Sequence, residues 1–220
     1  MIAQGKSLQT LERLFISIPD SCYAPLQHQL PDTLKITKAL RIFLLTDTTS
    51  APENPLPVFG ISVFDTVHHY MRLVAKLGEP EAMWSEISYW EKKDGKNLVM
   101  MTINYSDMCV SEQQYVFFWI DDGNNLIPVS LDAVIPGDFS NGCIAPSFYK
   151  KHPKAKKYAM PYGLEHDDTT SLLIMRPEFD YLFSCGEYFT DDPWYGLDGK
   201  DIIRKEVTLV WNGMIFEIQP

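Results

Sequence analysis

None of the short motifs that announce a common chemistry is present in this chain. There is no G-x-G-x-x-G and no full G-x-x-x-x-G-K-S/T, Gly5-Lys6-Ser7 being only its last three residues, so neither the dinucleotide fingerprint nor the complete phosphate-loop motif is present. There is no G-x-S-x-G elbow, so the usual hydrolase nucleophile turn is missing. The four cysteines, Cys22, Cys109, Cys143 and Cys185, stand far apart without a C-x-x-C or a Cys/His grouping, which excludes a recognisable zinc-ligand pattern. They leave open up to two disulfides in an oxidising compartment, or buried thiols serving as small hydrophobes. No apolar run approaches the roughly 18 residues that a membrane-spanning helix requires. Basic residues are few, 19 Lys and Arg against 29 Asp and Glu for a net charge of −10. Without clustered Lys and Arg there is no general nucleic-acid surface. Only KKHPKAKKYAMPYG, Lys150 to Gly163, concentrates positive charge, and it reads as a solvated loop offsetting nearby acids.

What is present is apolar and aromatic material in strand-like runs. Hydrophobic residues make up 45% of the 220 residues, aromatics 13% and charged residues 22%, the balance of a globular protein able to bury a sizeable core. The chain ends VTLVWNGMIFEIQP. Asn212-Gly213 between two β-branched and aromatic runs predicts a two-residue type I′ hairpin. That turn would pair Trp211 with Met214, Leu209 with Phe216 and Val207 with Ile218 on one packed face. The other face would carry Thr208 with Glu217 and Glu206 with Gln219. The same plan recurs in SEISYWEKKDGKNLVMMTINYS, turning at Asp94-Gly95, and in EQQYVFFWIDDGNNLIPVS, turning near Asp122-Gly123. The irregular spacing makes these recurring hairpins and not a solenoid repeat.

Upstream the periodicity is helical. Leu8, Leu11, Leu14, Phe15 and Ile18 follow helical spacing from Ser7 as a possible N-cap, and Pro19 ends the segment in the turn IPDS. Cys22 to Leu30 holds another turn or two at most. Asp32 caps a further segment, in which LRIFLL, Leu40 to Leu45, completes a helix or forms a buried strand. TDTTSAPENPLP, Thr46 to Pro57, has the composition of an exposed loop. ISVFDTVHHYMRLVAKLG, Ile61 to Gly78, then predicts a helix with a stripe of Val63, Val67, Tyr70, Met71, Val74 and Leu77 and a Gly78 cap. On such a helix His68 and His69 point about 100° apart and cannot share one metal. Further on, SFYKKH suggests a helical turn and SLLIMR a strand; EFDYLFS is a strand or a short helix. Helices first and strands afterwards give a fold class of α+β, with N-terminal helices packed on a mainly antiparallel, hairpin-rich sheet. The expected organisation is one domain over 1–220, helical over about 7–78 and sheet over about 85–220.

Three groups of residues are candidates for chemistry. Cys143 in FSNGCIAP and Cys185 in FSCGEY are possible nucleophiles with a histidine such as His166 as base. Carboxylates in the same 139–189 region are the other hydrolase option. Asp191, Asp192, Asp198 and Asp201 in DDPWYGLDGKD could offer oxygens to calcium, although the spacing does not fit an EF-hand loop. Trp194 and Tyr195 in that loop could stack on a sugar or on an apolar side chain of a partner; the structural alternative is that Trp194 plugs the sheet edge. No cofactor is expected.

LFISIPDS near the start and the closing VTLVWNGMIFEI resemble exported proteins of unknown function from Bacteroides-type gut bacteria. Those proteins carry a helical start with a Met/Ile-Pro-Asp-Ser turn and end on a strand–Trp-Asn-Gly–strand hairpin. The resemblance covers about two dozen residues and implies a periplasmic or cell-surface location, with no catalytic residues to carry over. MIAQGKS also reads like the tail of a signal peptide; a cytosolic chain starting at Met1 is the alternative. The expected function is therefore a non-catalytic exported binding or envelope-associated protein with a protein or glycan partner. A hydrolase and a calcium-stabilised module are the alternatives.

Overall fold

The chain was analysed as a computed structural model, which describes residues 2–24, 35–46, 59–78, 81–106, 113–135, 143–155, 162–167, 170–177, 197 and 199–219. Its main body is a six-stranded antiparallel meander of β1 (Phe59–Asp65), β2 (Tyr70–Gly78), β3 (Glu81–Glu91), β4 (Asn97–Ser106), β5 (Gln113–Asp121) and β6 (Leu126–Val129). A four-stranded antiparallel sheet follows, made of β7 (Tyr162–His166), β8 (Leu173–Pro177), β9 (Val207–Trp211) and β10 (Phe216–Ile218), again in sequence order. The longer helices are α1 (Ile2–Ser17) and α2 (Lys38–Thr46), and two short ones cover Leu131–Val134 and Pro146–Lys151. The architecture is antiparallel sheet with helices. LRIFLL belongs to α2, and EFDYLFS lies outside the described residues.

The six-stranded sheet is buried on both faces. Odd-numbered residues of β2 to β5 (Met71, Leu73, Met83, Ile87, Tyr89, Val99, Met101, Ile103 and Trp119) fall in one buried cluster with Leu11, Leu14, Phe15 and Ile18 of the N-terminal segment. Even-numbered Trp90, Leu98, Met100 and Phe118 fall in a second cluster with Leu164, Leu173, Met175, Val207, Leu209 and Phe216 of the four-stranded sheet. A strand covered on both sides reads as a continuous apolar run, which is why LVMMTI and YVFFWI do not alternate. Trp211 Nε1 donates to Glu91 O at 2.8 Å, and Lys93 N donates to Gly213 O at 3.1 Å, tying the sheets together at one end.

The segment Ile61 to Gly78 is a correction: it forms the β1–β2 hairpin and not a helix, so the helical part ends at Thr46 instead of near 78. The i, i+3, i+4 stripe and a two-residue alternation coexist in this stretch, and β-branched and aromatic content decides for strand. Asp65 ends β1 by accepting from Val67 N at 2.7 Å and His68 N at 3.0 Å, an Asx turn that no helix interior would make. Gly78, expected as a helix cap, sits at a register irregularity at the end of β2.

The C-terminal hairpin forms with a register two residues away from the expected one. Phe216 faces Trp211 and Ile218 faces Leu209 around a four-residue loop, Asn212 to Ile215. Asn212 Oδ1 accepts from Met214 N at 2.9 Å and Ile215 N at 3.0 Å, which stabilises the longer loop. Gly213 has φ +93°, and an added Cβ would lie 2.9 Å from Lys93 Cγ. A slip of two preserves the faces, so Val207, Leu209 and Phe216 remain buried. Met214, paired with Trp211 in the expected register, is exposed in the loop. Asn212→Ala is expected to cost about 1 kcal/mol in urea unfolding, the typical value of a lost side-chain cap.

Candidate functional site

Two places gather polar or open features: the junction of two turns between the sheets, and a groove at the edge of β5.

At the junction, the β1–β2 turn meets the β7–β8 turn. Asp65 Oδ2 lies 2.7 Å from His68 Nδ1, and hydrogen bonding to His68 holds the Asp65 carboxyl below its ordinary range. His69 has φ +58°, uncommon outside glycine. Its ring stacks on Tyr89 at 4.2 Å, and burial lowers its pKa. Ser171, also at φ +58°, donates from Oγ to His68 O at 3.2 Å and accepts from Trp90 Nε1 at 2.9 Å. Behind these bonds lies His166, 2% exposed, with its ring stacked on Tyr70 at 4.7 Å and 5.7 Å from that of Trp90. Neither His166 ring nitrogen has a hydrogen-bond partner among the described residues. Burial pushes its pKa down to about 4, so the ring is neutral at pH 7.

Tyr70 leads from His166 to a buried polar row across the same sheet face. Its hydroxyl donates to Glu86 Oε1 at 2.8 Å. Burial, with Glu86 beside it, pushes the Tyr70 pKa well up. Arg72 donates from Nε to the same oxygen at 2.9 Å and places Nη2 at 2.7 Å. Thr102 Oγ1 lies 3.4 Å from Glu86 Oε2 and accepts from Asn104 Nδ2 at 3.1 Å. Glu86 is 2% exposed, so this carboxylate is tied into the fold.

The groove lies where β6 stops short. β6 pairs only with Phe118–Asp121 of β5, and no described strand covers Gln113–Phe117 on that side. The turn bond from Asp122 N to Asn125 O sets the phase of the ladder. Alternate residues direct their N–H and C=O to alternate sides, which turns the backbone of Val116 toward the uncovered edge. Beside it opens a mostly apolar space of about 390 Å³, lined by Pro19, Ser21 and Cys22 of the IPDS turn and by Val116, Pro128 and Leu131. Tyr115 is exposed on the same stretch of β5.

The candidate residues read from the sequence are distributed as follows. Cys143 is a free thiol in the apolar cluster between the sheets. Burial raises its pKa, the reverse of what an activated thiolate requires. His166 is not hydrogen-bonded to it. Asp201 is buried and its carbonyl accepts from Ala145 N at 2.7 Å beside the Ile144–Ile202 bridge. Cys185, Asp191, Asp192, Asp198, Trp194 and Tyr195 lie outside the described residues. His68 and His69 occupy a turn, not a helix. No group of three or more His, Cys, Asp or Glu among the described residues is placed to hold a metal. Among the same residues no helix is long and apolar enough to cross a membrane.

No protein-family model and no curated protein matches the chain. Among solved structures it is similar to a domain of an uncharacterized protein from Porphyromonas gingivalis W83, with a TM-score of 0.56 over 95% of this chain and 97% of that one, at 10% identity. At that identity the likeness concerns the fold alone.

Proposed function

We propose that the chain is a non-catalytic, exported, envelope-associated binding protein, and that its partner is a protein segment held extended in the groove beside β5. The observation that carries this reading is the pairing of an open apolar groove with the uncovered backbone of Val116. An extended peptide satisfies both demands at once, adding a strand to the edge while alternate side chains enter the groove. Export rests on the likeness of LFISIPDS and VTLVWNGMIFEI to exported proteins. The reading takes the chain as one α+β domain over 1–220 with N-terminal helices backing the sheet. The buried cluster shared by α1 and the sheet and the Arg13–Asp121 ion pair at 2.6 Å support that arrangement.

The test is to pan a random linear peptide library on the full chain and measure Kd for enriched peptides against wild type and the Ser21→Arg, Pro128→Glu double variant. Both positions are exposed groove walls, so the fold tolerates the change. Peptides with apolar residues at alternate positions, weakened at least about 10-fold by the variant, are the expected result. No enrichment, or equal binding to the variant, would overturn the groove. Sequencing the mature N-terminus of the full reading frame expressed in a Gram-negative host tests export, an uncleaved start counting against it.

A further inference from the structure

We infer that the junction of the two turns is an acid-operated latch, in which a proton taken up by His166 releases the β7–β8 turn from the β1–β2 turn and opens the β7–β8 corner of the interface between the sheets. The site has the parts of such a device. His166 is enclosed by aromatic faces, Tyr70 on one side and Trp90 at an angle. In its neutral form the ring leaves one donor and one acceptor without a partner among the described residues, a smaller penalty than burying the charged ring. A proton from solvent on the free ring nitrogen makes both nitrogens donors, and no acceptor among the described residues is hydrogen-bonded to either one.

The neighbouring groups do not supply that acceptor. On the facing sheet, the Tyr70 hydroxyl is committed to Glu86, and Glu86 to Arg72 and Thr102 as well. The Trp90 indole N–H is used on Ser171 O. In the β1–β2 turn, Asp65 is bound to His68. His68 and His69 act on His166 as like charges, while Asp65 and Asp167 favour its protonation. On its own strand, Glu165 pairs with Arg176. The burial that pushes the His166 pKa down to about 4 outweighs the two aspartates.

What closes the latch is slight. Ser171 Oγ to His68 O and Trp90 Nε1 to Ser171 O span the gap, and both His69 and Ser171 hold left-handed backbone that is relieved on release. The neighbouring β9–β10 turn, at the same end of the strands, is fastened by Trp211 to Glu91 and Lys93 to Gly213, bonds to backbone carbonyls that do not titrate in this range. The sheets therefore part at the β7–β8 corner and stay joined at the β9–β10 turn beside it.

The sign follows from linkage. The open state, with an ordinary histidine pKa near 6.5, binds the proton more tightly than the closed state, so opening grows as pH falls below 6.5 and levels off below about 4. Between pH 7.5 and 4.5 the opening constant rises roughly 70-fold. Hydrogen exchange of the full chain reads this as a fall of that size in protection factors on β7 and β8, while β3 and β4 keep theirs. His166→Phe, which keeps the stack, is expected to remove the acid response. A fall below about 5-fold, an equal fall throughout the six-stranded sheet, or a persisting response in the variant would overturn the latch. If the variant does not fold at pH 7.5, the ring resonances of His166 in the wild-type chain decide. Titration at pH 6 or above with β7 and β8 still protected would refute it.

Discussion

Replacing Arg41 by methionine is expected to lower the unfolding free energy by about 3–5 kcal/mol, seen as a drop in Tm of roughly 6–20 °C. Arg41 belongs to α2 and is 1% exposed, the largest fully buried side chain among the described residues. Its guanidinium donates to Ile18 O at 2.7 Å, Ile36 O at 3.2 Å and Ile16 O at 3.3 Å, and lies over the Tyr23 ring at 4.9 Å. Two of those carbonyls are at the end of α1, where a helix has no internal donors left. Methionine fills most of the volume but leaves two buried acceptors and one part-buried acceptor without the guanidinium donor. The ion pair with Asp20 at 2.8 Å contributes far less, because that carboxylate is 50% exposed. Asp20→Asn is accordingly expected to cost under about 1 kcal/mol, and Arg41→Lys to recover less than half of the loss because a point charge cannot reach three carbonyls. A methionine variant within about 1 kcal/mol of wild type would show that water replaces the guanidinium. The IPDS turn, legible in the sequence as a helix stop, is thus the docking point of a distant arginine.

The β3–β4 and β5–β6 hairpins of the six-stranded sheet were legible because their turns are short-range features. Asp94 Oδ1 takes the Lys96 amide at 3.2 Å, and Asp122 Oδ1 takes those of Asn124 and Asn125 at 3.0 and 2.8 Å. Such bonds depend on a few consecutive residues and on nothing across the fold. The amphipathic stripe of α1 is local in the same sense. The 61–78 segment was not legible, since Val63, Tyr70, Met71 and Val74 satisfy both periods, and tertiary pairing of Met71 with Ile87 chooses between them. In the C-terminal hairpin the faces were readable and the pairing was not, because the two-residue turn and the Asx loop share the same Asn-Gly.

The site was much less legible. Cys143, His166 and Asp201 look reactive in sequence by residue type, yet each is placed by packing. His166 acquires its character from Tyr70 and Trp90, 96 and 76 positions earlier in the chain, and no local pattern joins them. Glu86 offered one weak signal. It lies in SEISYWE opposite the run LVMMTI, and a strand paired to a run buried on both faces must bury its own polar residues too.

That placement makes Glu86 the second large expected effect. Glu86→Ala should cost about 2–4 kcal/mol, below the full range for a buried pair because Arg72 is 33% exposed and can turn toward water. The loss strands the Tyr70 hydroxyl and the guanidinium together. Replacing both charges, Glu86→Leu with Arg72→Met, is expected to be less destabilising than Glu86→Ala alone, since a buried ion pair gives little net stability once desolvation is counted. The double-mutant cycle in urea should therefore return a coupling energy of roughly 1–3 kcal/mol. Additive single effects would mean that each partner finds water when the other is removed. Because Tyr70 is also the platform under His166, Glu86→Ala should loosen the stack at neutral pH and expose β7 and β8 to exchange. The Glu86→Leu, Arg72→Met pair should leave the Tyr70 ring seated, with its hydroxyl and that of Thr102 deprived of the Glu86 acceptor, and the two variants then separate loss of charge pairing from loss of the aromatic platform.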